Sequence, residues 1–420
     1  MNSPILFISL LIFPVWGIYY DRTGLSTWPS AVDNTRPAIE VTFDRSIAIL
    51  NNGTDRLLVL SGKWSDCGTL RYHTVIYSLS FGQFITDITD SMTDHTVYHL
   101  LEIRGGTLSY LSNSNHFLIM PYEQQISGGP NIYLEPILLL YQQNNTYLMG
   151  NFNPVLNYTF GVSVGHTYGQ IFYLYPGDLY PAVMASPISG PIIFYQNQIG
   201  TLNWTEFDPV GTIINAVGGG SSTSADFNQD GYDDLFFSGN YLLINQQNGT
   251  LIDRTSLITG LNGVISSGSI KVADFNSDGW PDLMVLSSID AAILQNDMIN
   301  SSGFITHQLT TGGIVPLYHS SIAAGDRDND GLLDLVMCGI DGSFQFHQSY
   351  YHSLGLWDNF TDQTPTEMSL GIYYCSMEWF DYNNDNLSDV ISSGNPGASI
   401  SADSFKIIIN DGVNWADQTD

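Results

Sequence analysis

Apolar residues along this chain fall in short runs rich in Val, Ile, Phe and Tyr, broken by Gly, Asn, Asp and Ser, and no helical heptads occur. That alternation of brief runs and turn residues predicts an all-β protein with many short strands. Four runs share one polar prefix: ADFNQDGYDDLFFSG from 225, ADFNSDGWPDLMVLSS from 273, AGDRDNDGLLDLVMCG from 324 and FDYNNDNLSDVISSG from 380. Each reads as a turn of carboxylates and amides leading into a strand. The prefixes start at 226, 274, 326 and 381, so they recur every 48, 52 and 55 residues, which is the size of one four-stranded repeat unit. After the first and last prefixes, LLINQQNGTLIDRT and KIIINDGVNWADQT each read as strand, Asn/Gly turn, strand, and predict a hairpin that closes the unit.

The polar prefixes carry candidate chemistry. In the first, Asp226, Asn228, Asp230 and Asp234 stand at loop positions 1, 3, 5 and 9, with Tyr232 at position 7 offering a backbone carbonyl and Gly231 at position 6 permitting a sharp turn. A set of hard oxygen donors at that spacing suits calcium. The second offers Asp274, Asn276, Asp278, Trp280 and Asp282, and the third Asp326, Asp328, Asp330, Leu332 and Asp334. The fourth has Asp381, Asn383, Asp385, Leu387 and Asp389, with Asn386 in place of glycine, the residue that next best tolerates a left-handed backbone. An EF-hand is excluded, because position 12 of the first loop is Phe237 inside a strand, where a bidentate Glu and a following helix are required. One calcium per loop is the expectation.

D-x-[DN]-x-D-G-x-x-D-L followed by an apolar strand resembles the FG-GAP or VCBS repeat, which integrin α-chain heads and the T-cell immunomodulatory proteins carry. The resemblance is strong over 224–420 and loose before that. It implies a β-propeller, with calcium held between the first two strands of a blade and ligands engaged on the opposite rim.

Upstream, Leu50 to Leu60 aligns with a calcium loop whose last ligand has become Arg56, while 112–120 and 173–186 sit before apolar strands without the carboxylate set. Loop centres near 52, 114, 176, 230, 278, 330 and 385 then give seven units, so the expected fold is a seven-bladed β-propeller over 18–420 with degenerate blades in 18–223. Tyr20 to Thr23 resembles the strand that ends a unit, as do Asp253 to Thr255 and Asp417 to Thr419, so either terminus can complete the last blade.

Composition narrows the setting. The formal charge is −30, with 11 Lys plus Arg against 41 Asp plus Glu, which opposes nucleic acid, anionic lipid and polyanionic glycans as partners and favours cations. Residues 1–17 read as a secretory signal peptide, and no later apolar run is long enough to span a membrane. Eight N-x-[ST] sequons agree with a secreted or cell-surface location. Cys67, Cys338 and Cys375 allow at most one internal disulfide; Cys338 and Cys375 fall on neighbouring units, where pairing and free buried thiols both fit.

The motif G-x-S-x-G at 161–165 lacks the helix that a nucleophile elbow needs, and His95 and His99 have no third metal ligand in a tight spacing. The sequence is therefore read as a non-enzymatic module that binds an extracellular protein or glycan. A lectin-like propeller and a propeller-type polysaccharide lyase are the alternatives.

Overall fold

The computed structural model describes the strands at 39–40, 47–51, 56–66, 69–78, 83–87, 109–110, 116–119, 137–142 and 146–152. From 167 to 417 it describes the chain apart from 176–181, 188, 198–202, 218–220, 264, 266–267, 299–302, 356, 358, 369–370, 384 and 396–404. The segments read as a signal peptide, the Tyr20 to Thr23 strand, the loop at 52–55, Cys67, His95, His99 and the G-x-S-x-G motif lie outside the described residues.

The all-β expectation holds. Sheet I comprises Ser222–Ala225, Asp234–Phe237, Tyr241–Asn245 and Leu251–Asp253. Sheet II comprises Ser269–Ala273, Asp282–Leu286, Ala291–Asn296 and Phe304–Gln308. Sheet III comprises Tyr318–Gly325, Asp334–Ile340, Phe346–Ser353 and Phe360–Asp362. Sheet IV comprises Tyr373–Phe380, Asp389–Asn395, Phe405–Asn410 and Trp415–Asp417. In each, the four strands follow one another in chain order as an antiparallel meander. The last strand of sheet IV is thus supplied by the C-terminal segment. In all four sheets the first hairpin closes on the same register, with Ala225 opposite Asp234, Ala273 opposite Asp282, Gly325 opposite Asp334 and Phe380 opposite Asp389. The polar prefix is the connection between those pairs.

The second strands of sheets I to III are apolar at nearly every position after the aspartate because both of their faces are covered. Side chains alternate across a strand. Leu283 and Val285 accordingly enter the core shared with sheet I, beside Phe227, Phe236 and Phe304, whereas Met284 and Leu286 enter the core shared with sheet III, beside Leu335 and Met337. Val336 and Cys338 face the next core, with Met377, Val390 and Ile408 of sheet IV. Each such side chain is worth about 1.5–3 kcal/mol on burial. The cores therefore lie between sheets, and one unit alone leaves half of its apolar surface open. Cys338 and Cys375 form a disulfide that joins sheets III and IV across one of these cores, deciding the alternative that the sequence left open.

The N-terminal half is less regular. Strands between 39 and 87 form a five-stranded sheet, and those between 109 and 207 form one eight-stranded sheet, apart from Ser189–Pro191, which pairs with Asn215–Val217 in a separate two-stranded sheet. Within the latter, two antiparallel groups join where Asn203–Phe207 pairs in parallel with Thr146–Phe152. First strands of successive groups contact one another: Thr167–Phe172 touches sheet I, then I touches II, II touches III and III touches IV. Ile47–Asn51 in turn touches Tyr373–Phe380 of sheet IV. Among the described residues no helix is long and apolar enough to cross a membrane.

Candidate ion-binding loops

The four polar prefixes fold alike. In loop I the two Asp226 oxygens accept the backbone N–H groups of Asp230 at 2.9 Å and Gly231 at 2.7 Å, which curls the chain around the carboxylate. Asp274 accepts from Asp278 and Gly279, Asp326 from Asp330 and Gly331, and Asp381 from Asp385 and Asn386 in the same way. The position-5 carboxylates of Asp230, Asp278, Asp330 and Asp385 each accept the N–H of the position-7 residue, Tyr232, Trp280, Leu332 or Leu387.

This curl requires a left-handed residue at position 6. Gly231, Gly279 and Gly331 have φ of 89°, 85° and 88°, and Asn386 takes the same region at 67°. A Cβ on any of the three glycines would meet nothing within 4 Å, so the demand is on the backbone angle and not on space. Position 4 is left-handed as well: Gln229, Ser277 and Asn329 have φ of 55°, 58° and 59°. From this position Gln229 donates to Gly279 O of the next loop at 2.6 Å, and Asn329 Nδ2 lies 3.5 Å from Asn386 O. Neighbouring loops are tied at their tips.

The position-9 aspartates are set apart from the others by burial. Asp234, Asp282 and Asp389 are fully buried and Asp334 nearly so. Each spans its loop from below: Asp234 accepts Phe227 N at 3.0 Å and Asn245 N at 2.8 Å, and Asp282 accepts Phe275 N at 2.9 Å and Asn296 N at 2.7 Å. Asp334 accepts Arg327 N and Ser353 N, and Asp389 accepts Tyr382 N and Asn410 N. Burial pushes these acids up, to about 8 for Asp234, about 7 for Asp282 and about 6 for Asp389, despite the amide donors that pull the other way. Nearby loop carboxylates push in the same direction, Asp230 and Asp226 on Asp234, Asp278 and Asp274 on Asp282, and Asp385 and Asp381 on Asp389. Asp334 is also raised, chiefly by burial.

Three residues absent from the sequence-based set complete the frame. Asn245, Asn296 and Asn410 end the third strands of sheets I, II and IV, and their side chains donate backward to Leu174 O at 3.0 Å, Phe227 O at 2.8 Å and Arg327 O at 2.9 Å. Each thus clips its sheet to the preceding one. The signal was present as an Asn at the same place in LLIN, ILQN and IIIN. Asn296→Ala is expected to lower stability by about 1–3 kcal/mol, because the buried Phe227 carbonyl loses its side-chain donor. A shift in the denaturant midpoint with unchanged slope measures this.

The donor sets of loops I to IV fit a hard divalent cation: carboxylate and amide oxygens, with the Asp328 carboxylate in place of the amide in loop III, plus a position-7 carbonyl around a tight turn. Residues 226–285 match the FG-GAP-like repeat, so a repeat of that family occupies loop I through the second strand of sheet II. No curated protein sequence matches the chain.

Solved structures of similar shape include a lectin of Agrocybe aegerita described as specific for non-reducing terminal N-acetylglucosamine, at 12% identity and TM-score 0.48, covering 82% of this chain and 87% of the lectin. A Trypanosoma rangeli sialidase, at 10% identity and TM-score 0.40, covers 76% of this chain and 53% of its own. An exotype rhamnogalacturonan lyase, at 11% identity and TM-score 0.35, covers 89% of this chain and 75% of its own. The expectation that the chain is not an enzyme is corrected here. Sialidase and lyase stand beside a lectin among its similar structures, and the negative charge that argued against an enzyme weighs only against acidic substrates.

Proposed function

We propose that the chain is a calcium-stabilised, seven-bladed β-propeller that works outside the cell or at its surface as an interaction module for a protein or glycan. The observation that carries this reading is the fourfold recurrence of one loop geometry between the first two strands of consecutive four-stranded sheets. Three N-terminal strand groups and sheets I to IV supply the seven blades. Ring closure is supported by the contact of Ile47–Asn51 with the first strand of sheet IV. The Cys338–Cys375 disulfide favours an oxidising compartment.

Loops I to IV each take one calcium. Asp226, Asn228, Asp230 and the Tyr232 carbonyl, with their equivalents, hold the ion against the rim, and Asp234, Asp282, Asp334 and Asp389 anchor each loop to its sheet. A calorimetric titration of the chelator-stripped full chain is expected to give four calcium ions. Uptake of one or none overturns the calcium assignment. Screening the calcium-loaded chain on a glycan array, with and without chelator, then separates glycan from protein ligands.

A further inference from the structure

The asparagines of sheets I to IV divide by what their side chains do. Asn228, Asn276 and Asn383 give their NH₂ groups to loop carboxylates, and Asn245, Asn296 and Asn410 give theirs to carbonyls of the preceding unit. Asn248, Asn359 and Asn386 are of another kind. Each is exposed, each begins an N-x-[ST] sequon, and among the described residues nothing pairs with its side-chain NH₂. At Asn248 the Thr250 N–H and hydroxyl both donate to Oδ1, at 3.0 and 2.6 Å, which closes a turn on the carboxamide oxygen and leaves Nδ2 unengaged.

Their placement follows from the meander. With four antiparallel strands in chain order, the connection from first to second strand and that from third to fourth emerge at one end of the sheet. The connection from second to third strand and the crossing to the next unit emerge at the other. Asn248 lies between Tyr241–Asn245 and Leu251–Asp253 of sheet I, and Asn359 between Phe346–Ser353 and Phe360–Asp362 of sheet III. Asn386 holds position 6 of loop IV. All three therefore stand on the rim of the ion loops, and Gln247 Nε2, 3.1 Å from Asp230 Oδ2, sets the Asn248 turn directly beside loop I. Asn203 likewise opens the fourth strand of its group. The sequons at 144 and 300 lie outside the described residues and fall, in the sequence, between a third and a fourth strand. Of the eight sequons only the one at 157, also outside the described residues, falls in the sequence on a crossing between units.

We propose that Asn248, Asn359 and Asn386 carry N-linked oligosaccharides, so that the rim of the ion loops is the glycan-bearing face of the protein. This rests on the reading that the chain works outside the cell, since the sugar is added on the secretory route. Nδ2 bonds to the anomeric carbon of an oligosaccharide carried on a lipid diphosphate. The bond from that carbon to the diphosphate oxygen breaks, the diphosphate leaves with the electron pair, and Nδ2 releases one proton to solvent. A bulky, solubilising group of this kind needs an exposed nitrogen that no internal bond requires. Position 6 meets that need in loop IV: an added Cβ at the equivalent glycines of loops I to III touches nothing within 4 Å, so a side chain here stands in open space. Asn386 thus keeps the left-handed turn that glycine makes in the sister loops and adds an attachment point that glycine cannot.

The test is to release glycans enzymatically, in heavy-oxygen water, from full chain secreted by a eukaryotic host. Release converts each sugar-bearing Asn to labelled Asp, and peptide mass spectrometry is expected to find the label at 248, 359 and 386. Thr250→Ala, Thr361→Ala and Ser388→Ala keep each asparagine and alter only an exposed or half-buried hydroxyl. Each should remove one glycan, seen as one step in gel mobility that enzymatic release abolishes. Chain recovered from the medium with at most one of the three asparagines labelled overturns the glycan rim and leaves the extracellular reading standing. Chain retained in the cytosol overturns that reading, and the glycan rim with it.

Discussion

Asp282→Ala is expected to destabilise the protein by about 2–6 kcal/mol, with or without calcium. Asp282 is fully buried, and its two oxygens accept the backbone N–H groups of Phe275 and Asn296, both buried residues. Alanine leaves both donors unpaired at about 1–3 kcal/mol each. Asp278→Ala in the same loop should behave differently. Asp278 is exposed and accepts from Trp280 N and the Asn276 side chain at the loop tip, where water can replace it. Its loss should weaken calcium binding yet change the chelated protein by less than about 1 kcal/mol. Denaturant midpoints of both variants in chelator separate the two roles. Equal losses for Asp278→Ala and Asp282→Ala would show that the position-9 carboxylate has no framework role of its own.

That division of labour within one motif was not visible in the sequence, where all nine-position aspartates counted as ligands alike. Position 9 is the first residue of a strand, so its side chain points into the sheet stack, and only the packed neighbour makes that direction a buried one. The unit length, the strand–loop–strand order and the closing hairpins were legible because they rest on local pattern: turn residues, alternation and spacing. The clips from Asn296 to Phe227 and from Asn410 to Arg327 span 69 and 83 residues, and no local rule connects such partners. The left-handed backbone at Gln229 and Ser277 was hidden for another reason, since neither residue type favours it and the loop hydrogen bonds impose it. In the N-terminal half the carboxylate prefix is gone, and with it the marker that separates one unit from the next. The joining of 109–207 into a single sheet through Asn203–Phe207 therefore had no counterpart in the sequence pattern.

Stripping calcium from the whole chain is expected to produce the largest loss. At calcium about 100 times the dissociation constant, each site contributes about 2.7 kcal/mol, so the four loops together contribute about 11 kcal/mol. That is of the order of the entire stability of a typical domain, and sheets I to IV should melt well below the calcium-loaded protein. The effect depends on pH through the buried acids. Asp234, Asp282 and Asp389 have folded-state values of about 8, 7 and 6, above the ordinary carboxylate value of the unfolded chain. A raised acid favours folding most below its unfolded value, and that contribution is lost as pH rises through the folded one. The chelated protein should therefore lose stability progressively between about pH 4 and pH 8. Calcium acts in the opposite sense, since it requires ionised ligands and gains affinity as the loop carboxylates deprotonate. Melting curves at pH 5 and pH 8, with and without chelator, should then show a gap that is small at pH 5 and wide at pH 8. Superimposable curves at both pH values would return the loops to the status of acidic turns, held by their own backbone hydrogen bonds and indifferent to the ion.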